Sequence, residues 1–252
     1  MSFYDLTKEQ RQQLLNKINQ ELMEDIRSGK KDKIHDYFSD EDTYIRKAAY
    51  QSFRKIFLHN EELQEKIINV LSLMMQSKNE KKRQTAINAT GEIGIKNFTE
   101  VERLLENGLF DVHHIVRNAV IGSIKKMGER NLKLVLVFAK RFLHHEDTEI
   151  RREICHGIEL RGRTHRQDIL PMLKELQFDE KPRVKNTLIN VLGQISYKWG
   201  CLETVVDHLK SWEYKDLVVK AIDEIIDVHE RYKDFAVKTQ EEARAYIEKN
   251  FE

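Results

Sequence analysis

The sequence predicts an all-α fold, an α–α superhelix (solenoid) of about six stacked helix pairs with a capping helix at each end. Three observations predict it. A charged anchor recurs at a step of 34 residues, at Arg83, Arg117, Arg151 and Lys185, and the next step reaches Val219 with Lys220 beside it; Arg46 lies 37 residues before Arg83. Positions −1, +3, +7 and +10 from each anchor are mostly apolar, and steps of 4, 4 and 3 put them on one helical face. A second amphipathic run precedes each anchored one, so neither helix of a pair buries its face alone and stacked neighbours supply the core.

Taken in order, Thr7-x-x-Gln10 opens an N-terminal cap helix within residues 1–29 as a capping box. The repeats fill residues 30–232. Their second helices carry the apolar sets Ile45, Ala49, Phe53, Ile56, then Val116, Val120, Ile124, Met127, then Val184, Leu188, Leu192, Ile195, with weaker sets at the Arg83, Arg151 and Val219 frames. The first helices include LQEKIINVLSLMM, EVERLLENGLF, LKLVLVFAKRFL, ILPMLKELQF and LETVVDHLKSW, and Thr99-x-x-Glu102 is read as a capping box for the second of these. Gly128, Gly162 and Ser196, eleven residues past their anchors, are read as closing the second helices, and Gly91 and Gly94 as close packing and a C-cap. Thr239-x-x-Glu242 opens a last helix within 233–252. The whole of 1–252 is read as one repeat domain.

Composition narrows the function class. The chain is 40% hydrophobic and 34% charged, and its 43 basic against 42 acidic residues give no global pull toward nucleic acid or membrane. Two prolines and ten glycines argue against a long linker. No apolar run reaches the ~20 residues of a membrane helix, and MSFYDLTKEQ has neither a basic nor an apolar leader segment, so a cytoplasmic protein without a membrane partner is expected.

A 34-residue helical period suits tetratricopeptide repeats, but their Trp-x-x-Leu-Gly-x-x-Tyr frame is absent, as is the ankyrin Thr-Pro-Leu-His. Asp40 with Arg46, Asp111 with Arg117 and Asp179 with Lys185 are Asp-(x5)-Arg/Lys pairs, each anchor preceded by Ile or Val. Here residues 30–232 resemble the HEAT and HEAT-like repeat family. The resemblance implies that this Asp and Arg form a structural ladder between adjacent repeats, through carboxylate contacts near their turns. Ser77 and His145 stand where the Asp is expected before Arg83 and Arg151.

No catalytic residues, metal site or cofactor are read from the sequence, and no small-molecule substrate is evident. His113-His114 and His144-His145-Glu146-Asp147 lack the i, i+4 spacing of two ligands on one face and are read as polar turn residues. Cys155 and His156 are neighbours on a helix, so their side chains diverge by roughly 100°; Cys155 and Cys201 are expected as free thiols. GxxxxGK[ST], GxGxxG and GxSxG are absent.

Positions +1, +5 and +8 on the second helices lie away from the apolar face, and the resemblance puts that side on a concave surface. They read Lys47, Gln51, Arg54; Gln84, Asn88, Gly91; Asn118, Gly122, Lys125; Arg152, His156, Glu159; Asn186, Asn190, Gly193; and Lys220, Glu224, Asp227. The amides and cations from Lys47 to Asn190 are the expected partner-binding column. The first expectation is a non-catalytic scaffold for a protein or peptide. The alternative is nucleic-acid binding, since HEAT-like repeats also build the DNA alkylation-repair glycosylases. Trp199 and Trp212 do not form a column with acids on this side, so their type of catalysis is not expected.

Overall fold

The computed structural model describes residues 3–130 and 132–251, without the Leu132 side chain; Met1 and Ser2 of the expected N-terminal cap and Glu252 of the C-terminal one lie outside the described residues. Among the described residues every regular element is a helix and none is a strand. Two compact units are present, residues 1–134 and 135–252.

In the first unit, a 3-10 turn (Phe3–Asp5) precedes α1 (Lys8–Ser28), α2 (Asp32–Phe38), α3 (Thr43–His59), α4 (Gln64–Met75), α5 (Glu80–Gly94), α6 (Phe98–Leu109) and α7 (His114–Arg130). The second helices α3, α5 and α7 pack side by side, with α4 and α6 forming a second layer against α5. The periodic residues face this core: Ala49, Phe53, Ala86, Val120 and Ile124 are essentially buried. Burying one such Ile or Phe side chain stabilises the fold by about 1.5–3 kcal/mol. Phe38 of α2 lies 4.8 Å from the Phe53 ring.

Local chemistry fixes where helices begin. Thr7 and Gln10 form the reciprocal box at the start of α1, and Gly29 closes it at φ 78°. Asp42 and Asn79 accept the first free N–H groups of α3 and α5. Asp25, buried on α1, accepts the Lys33 and Ile34 N–H groups of α2 at 2.8 and 3.2 Å. The Thr99 box does not form: α6 begins at Phe98, one residue earlier, with no side-chain cap on Asn97. Phe98 is 2% exposed, and its burial draws Thr99 into the first turn.

The second unit begins within α8 (Leu132–Phe142), followed by α9 (Thr148–Gly157), α10 (Glu159–Gly162), α11 (Arg166–Lys174), α12 (Pro182–Ser196), α13 (Cys201–Lys210), α14 (Lys215–Arg231) and α15 (Gln240–Asn250). Here α12 packs between α9 and α14, with α13 behind it, and α15 covers α13 and α14. Thr239 and Glu242 form the box that starts α15. The Arg151 repeat differs from expectation, since its second helix is broken at Ile158 into α9 and α10.

Glycine acts in these second helices through size rather than left-handed backbone. Among the described residues only Gly29 and Gly200 have positive φ. Gly128 lies inside α7 and Gly162 ends α10 without a left-handed turn. A Cβ on Gly162 would collide with Ile195, and one on Gly91 with Ser123 of the next second helix.

Candidate binding face of the second helices

The ladder is real in chemistry but differs in partner from the Asp-(x5)-Arg pairs. Arg83 makes a bidentate bond to Asp111, at 2.7 and 3.0 Å, and Arg151 one to Asp179, at 2.6 and 3.2 Å. Each arginine therefore reaches the Asp of the following repeat, 28 residues on. Its own frame supplies a backbone carbonyl instead: Arg83 donates to Ser77 O, Arg117 to Asp111 O and Arg151 to His145 O, all at 2.7 Å, and Arg46 donates to Asp40 O. The side chain six residues before the anchor accepts the N–H two residues later, whether it is Asp40, Asp111 or Asp179, or Ser77 or His145. Ser and His thus keep the turn and forfeit only the carboxylate. Burial and the Asp111 hydrogen bond compete at Arg83, and the bond wins, raising its already high pKa. At Asp179 burial pushes the carboxyl up, but Arg151 and the Lys181 N–H outweigh it and hold it below its usual range.

Lys185 leaves the ladder. Its ammonium sits 4.9 Å above the Tyr214 ring, and it makes no ion pair with Asp179, whose carboxylate belongs to Arg151.

In the first unit the column residues face outward, except Gly91, which is buried against Ser123 of the next second helix. Lys47, Gln51 and Asn118 are exposed, while Arg54, Gln84, Asn88 and Lys125 are half-buried. Gln51, Gln84, Asn88 and Asn118 make no side-chain hydrogen bond among the described residues. Glu92, absent from the sequence reading, sits 4.0 Å from Arg54 and 2.9 Å from Lys126, and Lys126 also covers the Tyr50 ring at 5.5 Å. Burial raises the Tyr50 pKa. The Arg54 Nε is buried without an acceptor. A Cβ on Gly122 would meet nothing within 4 Å.

In the second unit the cations are drawn into a network. Arg152 contacts Glu149 at 3.0 Å and Glu153 at 3.5 Å; Arg183 contacts Glu149 at 2.7 Å. His156 lies 3.4 Å from Glu159, which also pairs with Arg163, and Arg163 donates to Gln194 at 3.0 Å. Asn186 and Asn190 are exposed and without a side-chain partner among the described residues. Gly193 is filled by Glu224, which pairs with Arg231 at 2.9 Å, so the acidic end of the column is occupied locally. Glu149, Glu153 and Arg163 fall off the +1, +5, +8 positions, which is why the spacing did not find them.

Among the described residues no three His, Cys, Asp or Glu side chains lie together as metal ligands. Cys155 and Cys201 are free and buried, and burial drives both thiols up in pKa. Trp212 is 1% exposed and donates to His208 at 2.9 Å, whereas Trp199 is 79% exposed. No described helix is long and apolar enough to cross a membrane.

No family model matches the chain, and no curated protein matches it. An engineered protein of known crystal structure aligns with 93% of this chain and 72% of its own at 15% identity, with a TM-score of 0.37. YibA of E. coli aligns over 97% of both chains at 16% identity, with a TM-score of 0.38. At such values neither likeness carries an argument about family or role. The all-α architecture stands on the helices themselves, which pack on their neighbours within each unit with the second helices side by side.

Proposed function

We propose that the chain is a HEAT-like scaffold without catalytic activity, binding an extended segment of a protein on the outward face of the second helices within a unit. One observation carries this. Gln51, Gln84, Asn88 and Asn118 in the first unit, and Asn186 and Asn190 in the second, keep their donors and acceptors uncommitted, each set on its own unit's second helices. Asn is a weaker helix former than Lys or Glu, so solubility alone does not favour it at mid-helix. An amide offers a donor and an acceptor side by side, which matches a peptide group. The 34-residue frame and the arginine ladder support the HEAT-like assignment.

Nucleic acid is the less favoured ligand. Arg152 faces Glu149 and Glu153, so its charge is balanced locally, whereas phosphate binding needs cations that displace counterions.

The test is panning a random linear peptide phage library on the full chain. Enriched peptides are then titrated against Gln84→Ala/Asn88→Ala/Asn118→Ala and Asn186→Ala/Asn190→Ala. Weaker binding by about tenfold in at least one variant, with unchanged melting, is expected. No enrichment, or equal binding to both variants, overturns the proposal. Duplex binding with a steep salt dependence and no peptide binding would establish the alternative.

A further inference from the structure

The missing ladder step at Lys185 leaves a pocket. In the second unit a cavity of about 180 Å³ opens where the first turns of α12 and α14 meet. Ile189 and Leu217 supply an apolar floor, and the Tyr214 ring forms a wall, held by Phe178 at 6.1 Å between centroids. Lys185 and Lys220 line the cavity, with the Asn186 amide between them in sequence. Lys185 is drawn to the ring rather than to an acid, and neither lysine makes an ion pair among the described residues. The position that would carry the next ladder carboxylate, 28 residues after Lys185, is Glu213. Its carboxylate goes instead to Lys174 at 3.3 Å and Gln177 at 2.5 Å. One acid, Asp216, also lines the cavity and leaves it one positive charge in excess. Neither α12 nor α14 has a side-chain cap at its start, so the positive ends of both helix dipoles add to the field.

We propose that this cavity receives the anionic group of an acidic peptide side chain, a carboxylate or a phosphate, an inference that rests on the peptide-binding reading. Lys185, Lys220 and Asn186 line a space of side-chain size, and the ring and apolar floor suit the methylenes or aromatic carrier behind the anion. The ligand supplies, from outside, the carboxylate that Glu213 gives to Lys174 and Gln177 instead.

The experiment follows amide resonances of the isotopically labelled full chain while sodium acetate or inorganic phosphate is added, with chloride as the ionic-strength control. The proposal expects saturable shifts at the Asn186 side chain and the Lys220 amide, with no such saturation by chloride. Binding should fall about tenfold in Lys185→Gln/Lys220→Gln and tighten in Asp216→Asn. Lys185→Arg/Lys220→Arg should retain it. Stronger binding of acetate identifies a carboxylate as the natural group, and stronger binding of phosphate a phosphorylated side chain. Unsaturable shifts, or equal binding to a folded Lys185→Gln/Lys220→Gln variant, overturn the pocket. If panned peptides bind yet carry no acidic residue and ignore that variant, the pocket fails while peptide binding stands. If the small anions saturate but no peptide is enriched, the peptide reading fails and only an anion pocket survives.

Discussion

Replacing Gly122 by Ala should make the protein more stable and a worse binder. Gly122 lies in the interior of α7 with ordinary helical backbone, so nothing in its conformation requires glycine. The added methyl would meet no atom within 4 Å, so no repacking opposes it. Alanine gains about 0.5–1 kcal/mol over glycine in a helix interior, chiefly by restricting the unfolded chain. For a chain of this length that corresponds to a rise in Tm of about 1–2 °C. Gly91→Ala is the matched contrast. Its Cβ would collide with the Ser123 side chain and come within 3.1 Å of the Ser123 Cα, which cannot rotate away. Ser123 is also held by its hydroxyl bond to Ala119 O at 2.8 Å. Overpacking of this kind costs about 1–3 kcal/mol. Differential scanning calorimetry of the two variants should therefore move in opposite directions. On the peptide-binding reading the bound backbone approaches α7 at Gly122, so Gly122→Ala should also weaken a panned peptide. A lower Tm for Gly122→Ala, or a higher one for Gly91→Ala, would refute the packing account; unchanged affinity would remove Gly122 from the binding face.

Three further outcomes are expected. Arg83→Met leaves Asp111, 6% exposed in its side chain, without its cation and should cost about 3 kcal/mol in urea denaturation, against less than about 1 kcal/mol for Lys126→Met; equal losses would contradict the ladder. The Asp179 carboxyl has a folded pKa below its unfolded value of about 4, so its stabilisation is present above that value and lost as pH falls through the folded pKa. Stability of the wild type should thus drop more steeply than that of Asp179→Asn as acid is added, and parallel curves would count against the Arg151 bond. Both cysteines should resist a thiol reagent in the native protein and react once it is denatured; rapid native labelling of Cys155 would contradict its burial.

The fold was legible because burial repeats with the chain's own period. Val116, Val120, Ile124 and Met127 are apolar in sequence and buried in space for the same reason, the 3.6-residue turn. The ladder was half legible. Each anchor has an Asp-position six residues before it and another 28 after it, and spacing alone does not say which supplies the carboxylate. Stacking decides, giving Arg83 the Asp111 side chain and Arg117 the Asp111 carbonyl. The break at Ile158 and the early start of α6 depend on tertiary packing and left no periodic mark. The amides were placed on the outward face by their register. Glu92, Glu149 and Glu153, which contact the neighbouring cations, were missed because they lie off the column positions, and the pair between Glu92 and Arg54 joins two helices with no fixed sequence interval.

The central claim is that the outward face of the second helices holds an extended peptide, and mapping its position by photo-crosslinking tests this most directly. A panned peptide carrying a benzophenone side chain is irradiated with the full chain and the attachment sites are found by mass spectrometry. The account predicts attachment on the outward residues of second helices, such as Gln84, Asn88 and Asn118 on α5 and α7 or Asn186 and Asn190 on α12. Attachment confined to the first helices α4, α6, α11 or α13 would contradict it.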